Sequence, residues 1–223
     1  MEILQMEESF ESIRKNGDRA KMIEKALELA NAYQQIRKFD TAKTFLKNIL
    51  PDVESDLNLQ AIVLTAIGTT FWEKGQLQKA LDQFDEALSL FESIEDPIGK
   101  GAIFSIVGIT FWRKCKWSKS IDILKVAISQ NKERVKDKRF LSLYGAFDRA
   151  IIILQNRVRL GRDLQDRLKI LQPLFSMCAL QWVIGNYEQL EFCLEESESL
   201  ARALNKTDIL QAAEDLRKAV NSF

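Results

Sequence analysis

Apolar residues recur every three to four positions along most of this chain, in blocks separated by short polar, glycine or proline breaks, a pattern that predicts amphipathic helices joined by tight turns. Ile3, Met6, Phe10 and Ile13 predict a first helix over 2–15, closed by Gly17-Asp18. Ile23, Ala26, Leu29, Ala30 and Tyr33 predict the next, and Phe39, Ala42, Leu46 and Ile49 its partner, a pair over about 19–50 ended by Pro51-Asp52. Ser55 is the expected N-cap of a helix ending near Lys74; Gly75 turns, and a partner from Leu77 to Ser93 completes a pair over 56–94. Asp96-Pro97 joins an N-cap to a proline at the first helical position and opens a third pair over 97–134.

Regularity weakens beyond that point. Phe140, Leu143, Phe147, Ile151, Leu154 and Val158 predict one long helix from Lys138 to Arg159, broken by Gly161 and followed by a short segment from Asp163 to Leu171, so 138–171 reads as irregular. Pro173 is expected to open a helix reaching Ile184, and Gly185-Asn186 to turn the chain into a partner from Tyr187 to Leu204, a degenerate pair over 173–204. A last helix over 208–220, with Thr207 as N-cap, is expected to cover the open end of a stack. Residues 1–223 then form a single all-α domain.

One stretch is written twice. Ile67-Gly68-Thr69-Thr70-Phe71-Trp72 is answered by Val107-Gly108-Ile109-Thr110-Phe111-Trp112, with Trp112 lying 40 residues after Trp72. Ala80, Phe84 and Ala87 are answered in turn by Ser120, Leu124 and Ala127. A hairpin of this kind cannot bury its own apolar face and must stack on a neighbour. The segment Leu64–Ala87 resembles the tetratricopeptide repeat, with Gly68, Ala80 and Ala87 at its small positions and Leu64, Phe71 and Phe84 at its large ones. The second copy matches with Phe104, Gly108, Phe111, Trp117, Leu124 and Ala127 and departs at Cys115 and Ser120. Weaker copies align Ala30, Tyr33, Phe39 and Ala42 before it, and Leu174, Cys178, Gly185 and Tyr187 after it. The long period is similar to that of kinesin light chains and G-protein-signalling modulators. The resemblance implies a right-handed α-solenoid of antiparallel helix pairs with capping helices at both ends, its first helices lining a concave groove that grips a partner segment.

Carried onto this sequence, the resemblance assigns Thr65, Thr69, Trp72 and Glu73 to that groove, with Ser105, Ile109, Trp112 and Arg113 from the second copy. The earlier copy adds Asn31 and Gln34, and the later one Phe175, Ala179 and Trp182. Trp72, Trp112 and Trp182 thus share one equivalent position, and tryptophan is the residue most enriched in binding hot spots. The competing reading packs the same rings into the core, where Trp117 also belongs. The Lys, Asn and Arg clamp of chaperone-binding members is missing, since Thr65, Thr69, Ser105 and Ile109 stand at its places.

Composition narrows the function further. Only 9 Gly and 3 Pro fit a nearly all-helical chain, and 32 basic residues balance 32 acidic ones, so no global field draws the protein to nucleic acid or an anionic membrane. Locally, 132–169 carries eleven bases against five acids. Lys132, Arg134, Lys136, Lys138 and Arg139, followed by Arg157, Arg159 and Arg162, form a candidate basic docking surface, and Glu188, Glu191, Glu195, Glu196 and Glu198 gather on a later helix. Both blocks read either as solvated, mutually paired faces or as docking surfaces for charged partners. No aromatic residue interleaves with the bases from Arg149 to Lys169, which argues against single-stranded nucleic acid.

The three cysteines form no C-x-x-C pair and read as small buried hydrophobes. Absence of histidine removes Ser-His-Asp, Cys-His and H-E-x-x-H arrangements, and no phosphate-cradling glycine loop occurs. No catalytic residue, metal site or cofactor is therefore expected. The acidic start and the lack of a long apolar span predict a cytoplasmic protein without a membrane segment. The expected function is a non-enzymatic adaptor, scaffold or regulatory subunit that binds a segment of a larger protein such as an effector enzyme. The alternative is an RNA-associated or self-assembling helical scaffold that uses the basic block.

Overall fold

A computed structural model describes residues 2–130 and 137–222. Among them are eleven α-helices and no strand: α1 (Glu2–Asn16), α2 (Arg19–Gln35), α3 (Phe39–Ile49), α4 (Leu57–Glu73), α5 (Leu77–Ser93), α6 (Pro97–Arg113), α7 (Trp117–Gln130), α8 (Leu141–Asp163), α9 (Arg167–Ile184), α10 (Tyr187–Ala203) and α11 (Thr207–Val220). Short 3-10 turns occupy Leu50–Val53 and Lys138–Phe140. The end of the third predicted pair, with Lys132, Arg134 and Lys136, lies outside the described residues.

Seven of the turns between helices share one solution. Residues Arg37, Gly75, Glu95, Cys115, Gln165, Gly185 and Asn205 all adopt positive φ, and the N–H of the residue after each donates to the carbonyl five positions back, as in Gln76 to Phe71 (3.0 Å) and Lys116 to Phe111 (3.0 Å). This is the Schellman closure, which satisfies carbonyls that a helix end leaves open. Cys115 therefore sits exposed in a left-handed turn rather than buried, while Cys178 and Cys193 are buried.

Several helix boundaries differ from expectation for local reasons. Asp56, not Ser55, caps α4: its carboxylate accepts from the Leu59 N–H (3.0 Å), and the Ser55 hydroxyl accepts from Arg19 (2.8 Å). The last helix starts at Thr207 after Lys206, which makes no side-chain cap bond. Asp166, which accepts from both Leu168 and Lys169 N–H (3.1 Å each), caps a helix that runs straight through Pro173. Gly161 does not break α8 either. A Cβ there would lie 2.9 Å from the Lys169 backbone, so the glycine provides the close crossing of α8 over α9. Lys169 is also the residue whose carbonyl Pro173, lacking an N–H, leaves without its helical partner.

The chain divides into two compact units. Unit 1 comprises Met1–Ile103 and Val135–Ala146. Within it α1 packs on α2, α2 pairs with α3 and α4 with α5, while α3 and α2 both touch α4. Every residue of α4 from Ala61 to Trp72 is buried. Phe10 packs edge-on against Phe45 (4.9 Å), and the Tyr33 hydroxyl donates to Glu7, tying α1 down.

Unit 2 comprises Phe104–Arg134 and Phe147–Phe223. Here α9 pairs with α10, and α11 packs on both α10 and α7. The last helix thus rests on two helices instead of lying only beyond α10. Its buried row Ile209, Ala212, Ala213, Leu216 and Ala219 is wide, with small residues that permit two close approaches.

The doubled pattern packs the same way twice. A Cβ on Gly68 would reach within 2.5 Å of the Phe84 ring, and one on Gly108 within 2.7 Å of Leu124 Cγ. Ser120, where the earlier copy has Ala80, donates its hydroxyl to the Gly108 carbonyl (2.7 Å), so a polar side chain is accommodated at a fully buried crossing.

Candidate functional site

Residues assigned to the groove in unit 1 are mostly core. Thr65 and Thr69 are 2% and 0% exposed, and their hydroxyls donate back to the Ala61 and Thr65 carbonyls (2.8 Å each). Gln34 is buried and donates to Thr70 (2.9 Å), and Trp72 is 3% exposed. Only Asn31 and Glu73 keep partial contact with solvent. The physical reason is occupancy: α2, α4 and the 3-10 turn Lys138–Phe140 are in mutual contact, so the chain itself covers this face.

Arg139 fastens that turn. Its guanidinium reaches Asp96 (2.5 Å), Asn58 (3.3 Å) and Asp137 (2.9 Å). Burial pushes the Asp96 carboxyl up, but Arg139 and the Ile98 and Gly99 N–H groups outweigh it and hold the carboxyl below its ordinary value. This member of the basic block is a structural clasp rather than a free docking charge, whereas Lys138 beside it is exposed.

Unit 2 closes its own inner face differently. The Trp112 indole N–H donates to the Phe175 carbonyl (3.0 Å), and its ring lies 4.8 Å from that of Phe175, while Trp117 approaches the same phenyl edge-on at 5.6 Å. Trp112 is 3% exposed, Trp182 0%, and Ile109 and Ala179 are buried; Ser105 and Trp117 are half-buried and Arg113 is exposed. The expected ladder of exposed indoles is therefore corrected. Each ring that would have lined a groove is used for packing, because two faces of large apolar residues bury more area by meeting than by staying open.

A different concavity is open. Between the second half of α8 and the α9–α10 hairpin lies a cleft of about 400 Å³. Val158, Leu174, Met177 and Cys193 make an apolar floor; Gln155, Arg159, Arg162, Asp163, Gln189 and Phe192 stand around it. Arg162 pairs with Glu196 of α10 (2.8 Å) and braces the two walls. Gln181 also lines the cleft, is 4% exposed, and its Oε1 accepts no hydrogen bond from the described residues. A buried amide oxygen in that state is an acceptor awaiting a donor. Burial, with Glu196 adding to it, pushes the Cys193 thiol up to about 11, and burial pushes Cys178 up as well, so neither thiol is nucleophilic near neutrality.

Sequence reasoning missed this cleft. The signal was present in Phe192, which lies off the buried row of α10, is 52% exposed and stands on the rim. Such a residue exceeds what one apolar stripe needs, and whether the surplus is covered is a tertiary matter.

No helix among the described residues is long and apolar enough to cross a membrane. Hairpins that repeat with the same glycine crossing and the same turn define an all-α helical-repeat fold of the tetratricopeptide kind. Residues 22–93, about a third of the chain, match the model of the tetratricopeptide repeat family, a family that generally provides protein–protein interaction scaffolds. The structure is similar to the crystal structure of BtubC (BKLC) from P. vanneervenii, at 16% identity, with 91% of each chain covered and a TM-score of 0.54. It is also similar to a protein described as a kinesin light chain with nearly identical TPR-like repeats, from Podosopora anserina, at 14% identity, covering 80% of this chain and 94% of that one, with a TM-score of 0.44. Among curated proteins none matches the sequence.

Proposed function

We propose that this protein is a non-enzymatic adaptor or scaffold that holds a segment of a partner protein, and that the segment docks in the cleft between α8 and the α9–α10 hairpin. The observation that carries the reading is the cleft's construction: an apolar floor, a rim bearing Arg159 and Phe192, and the open acceptor of Gln181 beneath it. Apolar floors with a few placed polar groups suit side chains of a guest helix or strand. The floor supplies affinity, and the rim and the amide select what enters.

A rim substitution tests this without touching the core. Arg159→Glu and Gln155→Trp, both at exposed positions of α8, are expected to abolish capture of the partner in a pull-down from native extract, while the circular dichroism melt stays unchanged. Undiminished capture by both variants would overturn the assignment of the cleft.

A further inference from the structure

The charged and apolar residues left over on the outer faces of unit 2 form two complementary rows. On α8, Ile153, Arg157, Leu160 and the adjoining Leu164 follow one another at helical spacing along one side. Ile153, Leu160 and Leu164 are 51–55% exposed. On α10, Glu188, Phe192, Glu195 and Ser199 form a row with the same spacing, all exposed.

Most other acids of α10 are already spoken for inside the chain: Glu191 and Glu198 pair with Arg217, and Glu196 with Arg162. Arg157, Glu188 and Glu195 have no ion-pair or hydrogen-bond partner among the described residues. Laid antiparallel, the rows put Arg157 against Glu195 and Leu160 against Phe192, with Ile153 over Ser199 and Leu164 over Glu188. Within one chain the two rows cannot meet this way, because α8 and α10 already face each other across the cleft through Arg162 and Glu196.

We infer that unit 2 self-associates, the outer face of α8 in one copy docking on the outer face of α10 in a second copy. The contact covers half-exposed leucine, isoleucine and phenylalanine side chains and pairs Arg157 with Glu195, while Glu188 lies at the end of its row beside Leu164. It shares Phe192 with the rim of the cleft, whereas Ile153, Arg157, Leu160, Leu164, Glu188 and Glu195 do not line the cleft, so the charge-reversed positions report on this contact alone.

Charge exchange decides it. Sedimentation velocity over a wide concentration series is expected to show the wild-type chain associating, and Arg157→Glu and Glu195→Arg each weakening that association by more than about tenfold through like-charge contacts. Mixing the two variants in equal amounts restores it, because the reversed α8 of one meets the reversed α10 of the other. Leu160→Ala, which leaves charge untouched and lies outside the cleft, weakens it too. A wild-type chain that stays monomeric at every concentration, reversed variants that associate like wild type, or an equimolar mixture that stays apart while both variants keep their native circular dichroism, would each overturn the inference. Cleft binding is read independently with Arg159→Glu.

Discussion

Trp112 shows how a single side chain changes role when its surroundings are known. Its indole N–H satisfies a carbonyl on another helix and its ring lies on Phe175, so Trp112→Phe is expected to lower the stability of unit 2 by about 1–3 kcal/mol, through lost volume and one lost buried hydrogen bond. Chemical denaturation followed by circular dichroism measures it; a variant as stable as wild type would mean that the ring is dispensable packing. The three thiols separate just as clearly. Cys115, exposed in its turn, is expected to react quickly with a thiol reagent in the native protein, and Cys178 and Cys193 only after unfolding, because burial raises both. The left-handed backbone at Cys115 (φ 57°) gives a further test: Cys115→Gly relieves the Cβ penalty and should stabilise the chain, offset in part by the unfolded chain's added freedom, for a net gain of up to about 1 kcal/mol in the same denaturation assay.

Helices in this protein are positioned by a few close approaches and clasps. At the α6–α7 crossing Gly108 leaves no room for a methyl group beside Leu124, so Gly108→Ala is expected to cost about 1–3 kcal/mol despite alanine's better helix propensity, and an unchanged denaturation midpoint would refute the tight crossing. The Arg139–Asp96 clasp has a pH signature. Because the folded Asp96 carboxyl lies below its unfolded value, the clasp's contribution is complete above the ordinary carboxylate range and is lost as pH falls through the lowered value. Asp96→Asn keeps an N-cap for α6 while removing the charge, so its stability below pH 4 should decline less steeply than that of the wild type; parallel acid limbs would show that the pair contributes nothing.

Across the whole molecule, the division of labour between internal and external charge bears on the RNA alternative. Two arginines of the basic block, Arg139 and Arg162, are held in internal ion pairs, and the net charge is zero. Single-stranded RNA is therefore expected to give no mobility shift at physiological salt; a shift that collapses steeply with added salt would mark phosphate contacts instead. Periodicity carried much of the fold: the helical character of the chain, the 40-residue repeat and its glycine crossings at Gly68 and Gly108 were legible, because local spacing reports the buried face of each helix, whereas Gly161 and Pro173 read as a break and a start that α8 and α9 do not have. The seven matching turns were harder to read, since four of them use Arg, Glu, Cys and Gln and a fifth Asn where glycine is the usual mark. The destination of the inner faces lay further out of reach. Ile109 and Thr69 look alike in an open groove and in a sealed one, and it took contact between distant segments, Lys138–Phe140 on α2 and α4 and Phe175 on Trp112, to close them. Sequence alone determined the all-helical character and the doubled hairpin around Gly68 and Gly108, since the spacing within a helix is a short-range matter. Only the tertiary structure decided which surplus apolar residues stayed uncovered, as with Leu160 and Phe192, because burial depends on what the rest of the chain brings alongside.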